Sequence, residues 1–233
     1  MGSVNSLETL GLVDGPGIRF VIFLNSCNLR CIFCHNPEMW NMQKDNCSIQ
    51  EIVNKVLRYK TYFGKNGGVT FSGGEPLLQP DFIIEVCKLL KKENISVAID
   101  TAGIGTIKDE EVLDYVDYVL LDIKHVNREG YKKVTRKDYF DKFNDFIELL
   151  NKKNKKIWIR QVIVPNINDN KEYLHQLKEY LKRIKNIERI DFLPYHKMGD
   201  KKYESLGINN PLANEKEMDI DKCKKLYEEF LEI

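Results

Sequence analysis

The chain has 233 residues, 42% of them hydrophobic and 30% charged, which is enough apolar material for one sizeable core and predicts a single domain over 1–233. Its 36 basic and 35 acidic side chains leave a formal net charge of +1, so nothing in the charge balance indicates a nucleic acid or a membrane as partner. No stretch approaches the roughly 18 apolar residues of a membrane span. The first residues also lack the pattern of a secretory signal, which predicts a cytoplasmic protein.

Apolar, β-branched segments alternate with amphipathic segments along the whole chain. They predict strands at 19–24, 69–72, 96–100, 118–123, 157–164 and 189–194. The predicted helices are 48–63, 80–93, 106–114, 138–152, 171–184 and 219–231. Ser48 with Glu51 has the pattern of a capping box, and Pro80 suits the first turn of a helix.

Strands separated by helices of this length favour parallel β–α–β units. Six units are too few for a closed eight-stranded barrel, so we expect an α/β fold, a partial (β/α)6 barrel of the TIM type with parallel strands. A flat doubly wound sheet is the alternative, and periodicity alone does not separate the two. In either architecture, functional groups gather at the carboxyl ends of the strands.

Polar residues follow the predicted strands at those ends. In chain order they are the cysteine loop from Cys27 to Cys34, the segment from Ser72 to Pro76, the residues Asp100 and Thr101, then Asp122 and Lys124, then Arg160, and finally His196. Charged groups at the ends of apolar strands need a partner or water, because burying a lone charge is costly. An acid–lysine pair that only holds the rim of the barrel together is the alternative.

Cys27, Cys31 and Cys34 place three thiols within eight residues, in the run CNLRCIFCHN. A zinc site with His35 as fourth ligand is one reading, but His35 directly follows Cys34, and adjacent residues seldom reach the same tetrahedral ion. A redox-active cysteine pair is a second reading, but the thioredoxin pattern, a two-residue cysteine spacing with its flanking context, is absent. The third is an iron–sulfur cubane, since clusters prefer thiolate ligands. Three ligands would leave one iron open for a small molecule, and the ligand count favours this reading.

The other three cysteines are not spaced as a disulfide framework. Cys87 and Cys223 fall on apolar helix faces and are expected to be buried, whereas Cys47 lies in a polar connection. Gly73 and Gly74 permit close approach of a ligand to the backbone, or form a plain turn. Glu75 beside them could equally be a carboxylate at a helix start.

The cysteine spacing, with Phe33 as the aromatic before the third cysteine, resembles the cluster motif of the radical S-adenosylmethionine superfamily, and SGGEP at 72–76 resembles its second motif. Further segments, in consistent order, resemble the activating enzymes of glycyl radical enzymes, above all those of pyruvate formate-lyase. They are VDGPGIRF at 13–20, CHN at 34–36, LDIK at 121–124, WIR at 158–160 and LPYH at 193–196.

This resemblance implies a 4Fe-4S cluster on Cys27, Cys31 and Cys34 that reductively cleaves S-adenosyl-L-methionine into methionine and a 5′-deoxyadenosyl radical. The radical would abstract hydrogen from a backbone glycine of a partner enzyme and leave a glycyl radical. Cofactor contacts are implied for Phe33, Cys34, His35, Gly73, Gly74, Glu75, Asp100, Asp122, Ile123, Lys124, Arg160 and His196. Asp100, Thr101 and Asp122 are implied as ligands of a monovalent cation, and Asp14 and Gly15 as contacts to the protein substrate.

The implied partners are a glycyl radical enzyme, pyruvate formate-lyase, as substrate and flavodoxin or ferredoxin as electron donor. The ferredoxin-like insert of some other activating enzymes carries two further cysteine clusters. Here Cys47 is the one cysteine between Cys34 and the second predicted strand, so that insert is missing. The alternatives are an activase of anaerobic ribonucleotide reductase or of another glycyl radical enzyme, and a small-molecule radical enzyme. A purely structural metal site is a further alternative of a different class.

Overall fold

A computed structural model describes all 233 residues and contains one seven-stranded sheet. The strands are β1 (Val4–Gly11), β2 (Arg19–Leu24), β3 (Gly68–Gly73), β4 (Ser96–Thr101), β5 (Tyr118–Asp122), β6 (Lys156–Ile163) and β7 (Ile187–Pro194). They neighbour one another in chain order; β1 is antiparallel to β2, and all later pairs are parallel. Since β1 and β7 do not pair, the sheet is an open, partial barrel, as predicted.

Eight helices accompany the sheet. They are α1 (Ile49–Leu57), α2 (Pro80–Lys92), α3 (Asp109–Tyr115), α4 (Arg128–Thr135), α5 (Phe140–Lys152), α6 (Lys171–Leu181), α7 (Asp200–Ser205) and α8 (Ile220–Glu232). The Ser48–Glu51 capping box is formed at the start of α1, and Pro80 opens α2. None of these helices combines the length and the apolar character that crossing a membrane requires.

Three elements were absent from the sequence prediction: β1, α4 and α7. The strand β1 pairs antiparallel along the free edge of β2, so the sheet has one strand more than the six predicted. The predicted helix 48–63 is also too long, because α1 ends at Leu57 and a separate 3-10 turn, Lys60–Tyr62, follows. Cys87 and Cys223 are buried as expected, and Cys47, within its polar connection, is buried too, where its backbone pairs with Gly2.

The core lies between the sheet and the helices. Val21, Val69, Val97, Val119 and Ile159, from the central strands, are fully inaccessible to solvent. Burial of such side chains is the main driving force for folding. Because β2 to β7 run parallel, their carboxyl ends meet at one rim, and the loops that follow them build the site described next.

Candidate active site at the carboxyl ends of the strands

A cavity of about 400 Å³ opens at this rim. It is lined by fourteen of the seventeen residues that the sequence singled out: Asp14, Cys27, Cys31, Phe33, Cys34, His35, Gly73, Gly74, Asp100, Thr101, Asp122, Lys124, Arg160 and His196. Gly15, Glu75 and Ile123 do not line it. Segments distant in sequence are thus brought together into one site.

The cysteine loop is fixed by three backbone hydrogen bonds, to two neighbouring segments. The amide of Cys27 donates to the carbonyl of Trp40 (3.1 Å), and the amides of Arg30 and Ile32 donate to the last turn of α4 (3.0 and 2.9 Å). All three thiols are free, and burial raises the pKa of both Cys27 and Cys31 to about 12. A buried thiol becomes a thiolate readily only when a metal or other positive group compensates its charge.

The thiols do not converge on a point as ligands of one metal ion would. A cubane does not require such convergence, because each cysteine binds a different iron. The ring of His35 is instead engaged by His196: the two rings stack at 3.8 Å, and Nε2 of His35 lies 2.9 Å from the carbonyl oxygen of His196. Burial, and then the neighbouring His196, lowers the pKa of His35 to about 4.

The glycine pair locks the end of β3 against the cysteine loop. Gly73 has a φ of +114°, which a residue with a side chain rarely adopts, and a Cβ on Gly74 would collide with the carbonyl oxygen of Ser26. The amide of Gly74 donates to Leu24 (2.8 Å) and that of Glu75 donates to Ser26 (2.7 Å). Glycine is therefore required for the two motifs to touch.

The side chain of Glu75 is fully buried and turned toward the protein rather than into the cavity. Its carboxylate accepts hydrogen bonds from the hydroxyl of Thr101 (2.5 Å), the amide of Ala102 (2.9 Å) and the amide of Leu77 (3.2 Å). Burial raises the pKa of Glu75 to about 7, although these donors oppose the rise. Glu75 thus ties the end of β3 to the end of β4.

Two ion pairs line the cavity. Asp100 accepts from the guanidinium of Arg160 (2.9 Å) and from the hydroxyl of Ser72 (2.8 Å), while Lys124 binds Asp122 at 2.6 Å. Burial raises the pKa of Asp100 against the opposing influence of Arg160. Burial alone would lower the pKa of Lys124, but the adjacent acids, Asp122 first, raise it above its ordinary value. Both cations are therefore charged.

The turn before β2 brings Asp14 to the cavity. Its carbonyl accepts from the hydroxyl of Thr70 (2.6 Å), and the residue is 8% exposed. Gly15 has a φ of +127° and lies over the side chain of Arg19. Arg19 is fully buried and binds Thr70 (2.9 Å) and the carbonyl of Val69. The turn is therefore anchored to β3 from below.

These features match a known family. The model of the radical SAM superfamily matches residues 21–177. The pyruvate formate-lyase-activating enzyme of Clostridium pasteurianum is 48% identical to this chain, over all of this chain and 98% of the relative. That of Staphylococcus epidermidis is 38% identical, over 97% of this chain and 94% of the relative. The chain belongs to the radical SAM superfamily. Within it, the chain is a member of the pyruvate formate-lyase-activating enzyme family.

Solved structures agree with the fold. A domain of a pyruvate-formate lyase-activating enzyme from Bacteroides vulgatus superposes with a TM-score of 0.52, at 21% identity, over 70% of this chain and 94% of that one. A radical SAM methyltransferase from Sphaerobacter thermophilus superposes with a TM-score of 0.64, at 14% identity, over 92% of this chain and 63% of that one. At such identities the likeness concerns the fold.

Radical SAM proteins use a 4Fe-4S cluster and S-adenosylmethionine, and the unpaired polar atoms of this site fit such cofactors. Six buried side-chain polar atoms lack a hydrogen-bond partner, although nearly all such atoms in folded proteins have one. They belong to Asn28, Glu38, Asp100, His196, Tyr131 and Tyr203. Asn28 lies in the cysteine loop and Glu38 follows it, while Asp100 and His196 line the cavity. The unsatisfied polar groups are thus concentrated where a polar ligand would supply partners.

Sequence reasoning missed several residues of this radical SAM site. Trp40 lines the cavity and holds Cys27 through its carbonyl, and Val162 and Leu193 add apolar wall. The alternation of β6 could have indicated Val162, which lies on the same face of its strand as Arg160. Leu193 of β7 is the register partner of Val162 and lies on the same face of the sheet. No local pattern distinguishes Trp40 from an ordinary core aromatic.

Proposed function

We propose that this protein activates a glycyl radical enzyme, with pyruvate formate-lyase as the protein substrate. One observation carries the proposal. Three thiols, the Gly73–Gly74 turn and two half-buried ion pairs line a single cavity, in a chain related over its full length to pyruvate formate-lyase-activating enzymes. A single domain over 1–233 would hold the whole site. The compact region between the cysteine loop and β3 also supports this assignment over activases with a ferredoxin-like insert.

Cys27, Cys31 and Cys34 would hold the cluster, and the cavity beside them would hold S-adenosylmethionine. When bound, these two cofactors supply a carbon-centred radical that is able to remove hydrogen from a glycine. The backbone of the Gly73–Gly74 turn lines this cavity and would face the amino group of the cofactor. Glu75 acts from behind this turn, since its carboxylate is taken up by Thr101, Ala102 and Leu77.

The charged residues would orient the cofactor. Lys124, Asp122 and Arg160 line the cavity. Lys124 and Asp122 would face the carboxylate and ribose of the cofactor, and Arg160 would provide a second cation for the carboxylate. Both cations keep their charge because an acid pairs with each of them. Phe33, His35 and His196 line the cavity and are proposed to contact the adenosyl group. Ile123 is buried in the hydrophobic core, so any contribution from it would be through its backbone. The buried apolar wall limits access of water to the reacting atoms.

Asp14 and Gly15 are proposed to contact the glycine-bearing loop of the protein substrate. Asp14 lines the cavity, on a turn that Thr70 holds in place. A carboxylate can accept a backbone N–H of an incoming loop. The positive φ of Gly15 allows the turn to present Asp14 in this way.

A monovalent cation at Asp100, Thr101 and Asp122 is also proposed. The support is that Oδ1 of Asp100 is buried and accepts no hydrogen bond. Thr101 directs its hydroxyl hydrogen to Glu75 and accepts the amide of Gly103, so one lone pair of its oxygen is left for a cation. We further propose flavodoxin or ferredoxin as electron donor and the cytoplasm as location, because the cysteine ligands must stay reduced.

The decisive experiment mixes the reconstituted, reduced protein with S-adenosylmethionine and pyruvate formate-lyase under strict anaerobiosis. We expect a glycyl radical signal by electron paramagnetic resonance and formation of 5′-deoxyadenosine. If the nucleoside forms and the radical appears only on another lyase, the substrate assignment is wrong and the activase assignment stands. If neither product forms with any glycyl radical enzyme while the cluster is intact, the activase assignment is wrong.

A further inference from the structure

Two buried tyrosine hydroxyls beside the cysteine loop have no hydrogen-bond partner. Tyr131 is 0% exposed and Tyr203 is 3% exposed. The hydroxyls of two other buried tyrosines behave differently: Tyr173 donates to Gln161 (2.9 Å) and Tyr180 donates to Asn144 (2.8 Å). Leaving a buried hydroxyl unpaired costs free energy, so each of the two exceptions calls for a ligand that satisfies it.

Tyr131 lies on α4, directly beneath the middle of the cysteine loop. Carbonyls at the end of α4 accept the amides of Arg30 and Ile32, on either side of Cys31. The ring of Tyr131 stacks on Phe143, with centroids 5.9 Å apart, which fixes its orientation. Burial, and next the charge of Cys31, raises the pKa of Tyr131, so the hydroxyl keeps its proton and can donate.

Tyr203 lies on α7, on the other side of the loop. Its ring packs edge-on against Trp40 (5.9 Å), and it shares a crevice with Cys34 that has no room for a water molecule. Gly199, just before α7, packs against the backbone of Cys34 and His35. Burial, and next the charge of Cys34, raises the pKa of Tyr203. Water therefore does not satisfy this hydroxyl inside the crevice.

We propose that both hydroxyls donate hydrogen bonds to sulfur atoms of the bound 4Fe-4S cluster or its ligands, Tyr131 at the Cys31 corner and Tyr203 at the Cys34 corner. Such donors stabilise the reduced cluster, which carries one more negative charge, and so raise its reduction potential. The two tyrosines therefore make the cluster easier to reduce by its electron donor. This inference rests on the proposed binding of the cluster by the three cysteines.

The test compares reconstituted wild-type protein with the variants Tyr131→Phe, Tyr203→Phe and the double variant. Phenylalanine keeps the ring and removes only the hydroxyl. Iron content and the electron paramagnetic resonance spectrum establish that the cluster is present, and a redox titration gives its midpoint potential. For the double variant we expect a tenfold lower ratio of reduced to oxidised cluster at fixed potential, which is a shift of about 59 mV for one electron.

Tyr180→Phe is the matched control, because its hydroxyl is bonded to Asn144, and its potential should equal that of the wild type. In the cluster-free protein, the two test variants should melt no lower than the wild type, since their hydroxyls have no partner to lose. Equal midpoint potentials in all variants with intact clusters would overturn the inference and leave the proposed function standing. Absence of any cluster in the wild type would instead remove the proposed function.

The wild-type protein alone provides a second measurement, for the case that a variant takes up too little cluster. Resonance Raman spectra in H₂O and D₂O report hydrogen bonds to cluster sulfur through the iron–sulfur stretching frequencies. We expect an isotope shift in the wild type, and its absence would also overturn the inference.

Discussion

The guanidinium of Arg160 on β6 reaches across β5 to the carboxylate of Asp100 on β4, at 2.9 Å. The side chains are only 19% and 14% exposed, so the two charges compensate each other away from bulk water. Removing one partner from a buried pair leaves the other charge unpaired, which costs far more than the pair itself contributes. The pair thus determines both the shape and the charge of the cavity wall.

Replacing Arg160 by glutamine is expected to lower the free energy of unfolding of the cluster-free protein by about 3–5 kcal/mol. Adding Asp100→Asn should recover part of this loss, because no buried charge is then left unpaired. Anaerobic urea denaturation of both single variants and the double variant gives the coupling energy. The exposed pair Lys60–Glu93, at 2.9 Å with both side chains 45% exposed, is the control, and Lys60→Gln should cost less than about 1 kcal/mol. Additive effects at Arg160 and Asp100 would contradict the expectation.

Gly74→Ala is expected to disrupt the cluster site. The added Cβ would strike the carbonyl oxygen of Ser26, which directly precedes Cys27, so the loop must move. Reconstituted Gly74→Ala should retain little iron and little visible absorbance compared with the wild type. At Gly64 the control Gly64→Ala meets open space and, at a φ of +55°, should cost only roughly 1–2 kcal/mol without loss of iron. Full iron content in Gly74→Ala would show that the loop tolerates displacement.

Thr101→Val is expected to weaken the link between β3 and β4. It removes the hydroxyl that donates to Glu75 at 2.5 Å and accepts the amide of Gly103 at 2.9 Å. A hydrogen bond to a charged group contributes about 1.5–3 kcal/mol, and urea denaturation of the cluster-free protein at pH 8 should show a loss of that size. Thr101→Ser keeps the hydroxyl and should lose clearly less. Equal stability of the two variants would mean that Glu75 finds another donor.

Most of the site was predictable because parallel α/β folds place chemistry at the ends of strands. Apolar runs mark β2 to β7 clearly, and the polar residue after each run is then assigned to the rim. The first strand escaped prediction because most of its residues are exposed or half-buried and its sequence, VNSLETLG, lacks an apolar face. The helix α4 contains Gly130 and four charged residues in eight, so its periodicity is weak.

The direction of a side chain at a turn is harder to predict than its position. Glu75 follows the glycine pair and was expected to face the cofactor, but its carboxylate turns to Thr101 and Ala102, on the next strand and the loop after it. This contact joins residues 26 and 27 positions apart, and no local pattern encodes it. Tyr131 and Tyr203 were missed for the same reason, because their relation to the cysteine loop exists only in three dimensions.

Alanine at Cys27, Cys31 or Cys34 is expected to abolish the cluster, whereas alanine at Cys87 should leave it intact. Each of the three lines the cavity, but Cys87 is fully buried on α2 within the hydrophobic core. The measurement is iron and sulfide content after anaerobic reconstitution, together with the absorbance near the cluster bands. A variant at Cys31 that keeps four irons and normal turnover would show that another residue supplies the ligand.

The pH dependence of stability is expected to change when Asp109 is replaced by asparagine. Asp109 opens α3 and accepts the amide of Thr106 at 2.7 Å, a bond that the amide oxygen of asparagine can also accept. Burial raises the pKa of Asp109 to about 6 from its ordinary value of 3.8, although the Thr106 bond and Lys142 oppose the rise. Between these pH values the folded protein binds more protons at this site than the unfolded chain does, so the contribution of Asp109 to stability falls as pH rises through that window.

Asp109→Asn removes this dependence. The free energy of unfolding of Asp109→Asn, relative to the wild type, should therefore increase from pH 4 to pH 6 and level off above pH 7. Urea denaturation of the cluster-free proteins at four pH values measures the difference, and a constant or decreasing difference would contradict the raised pKa.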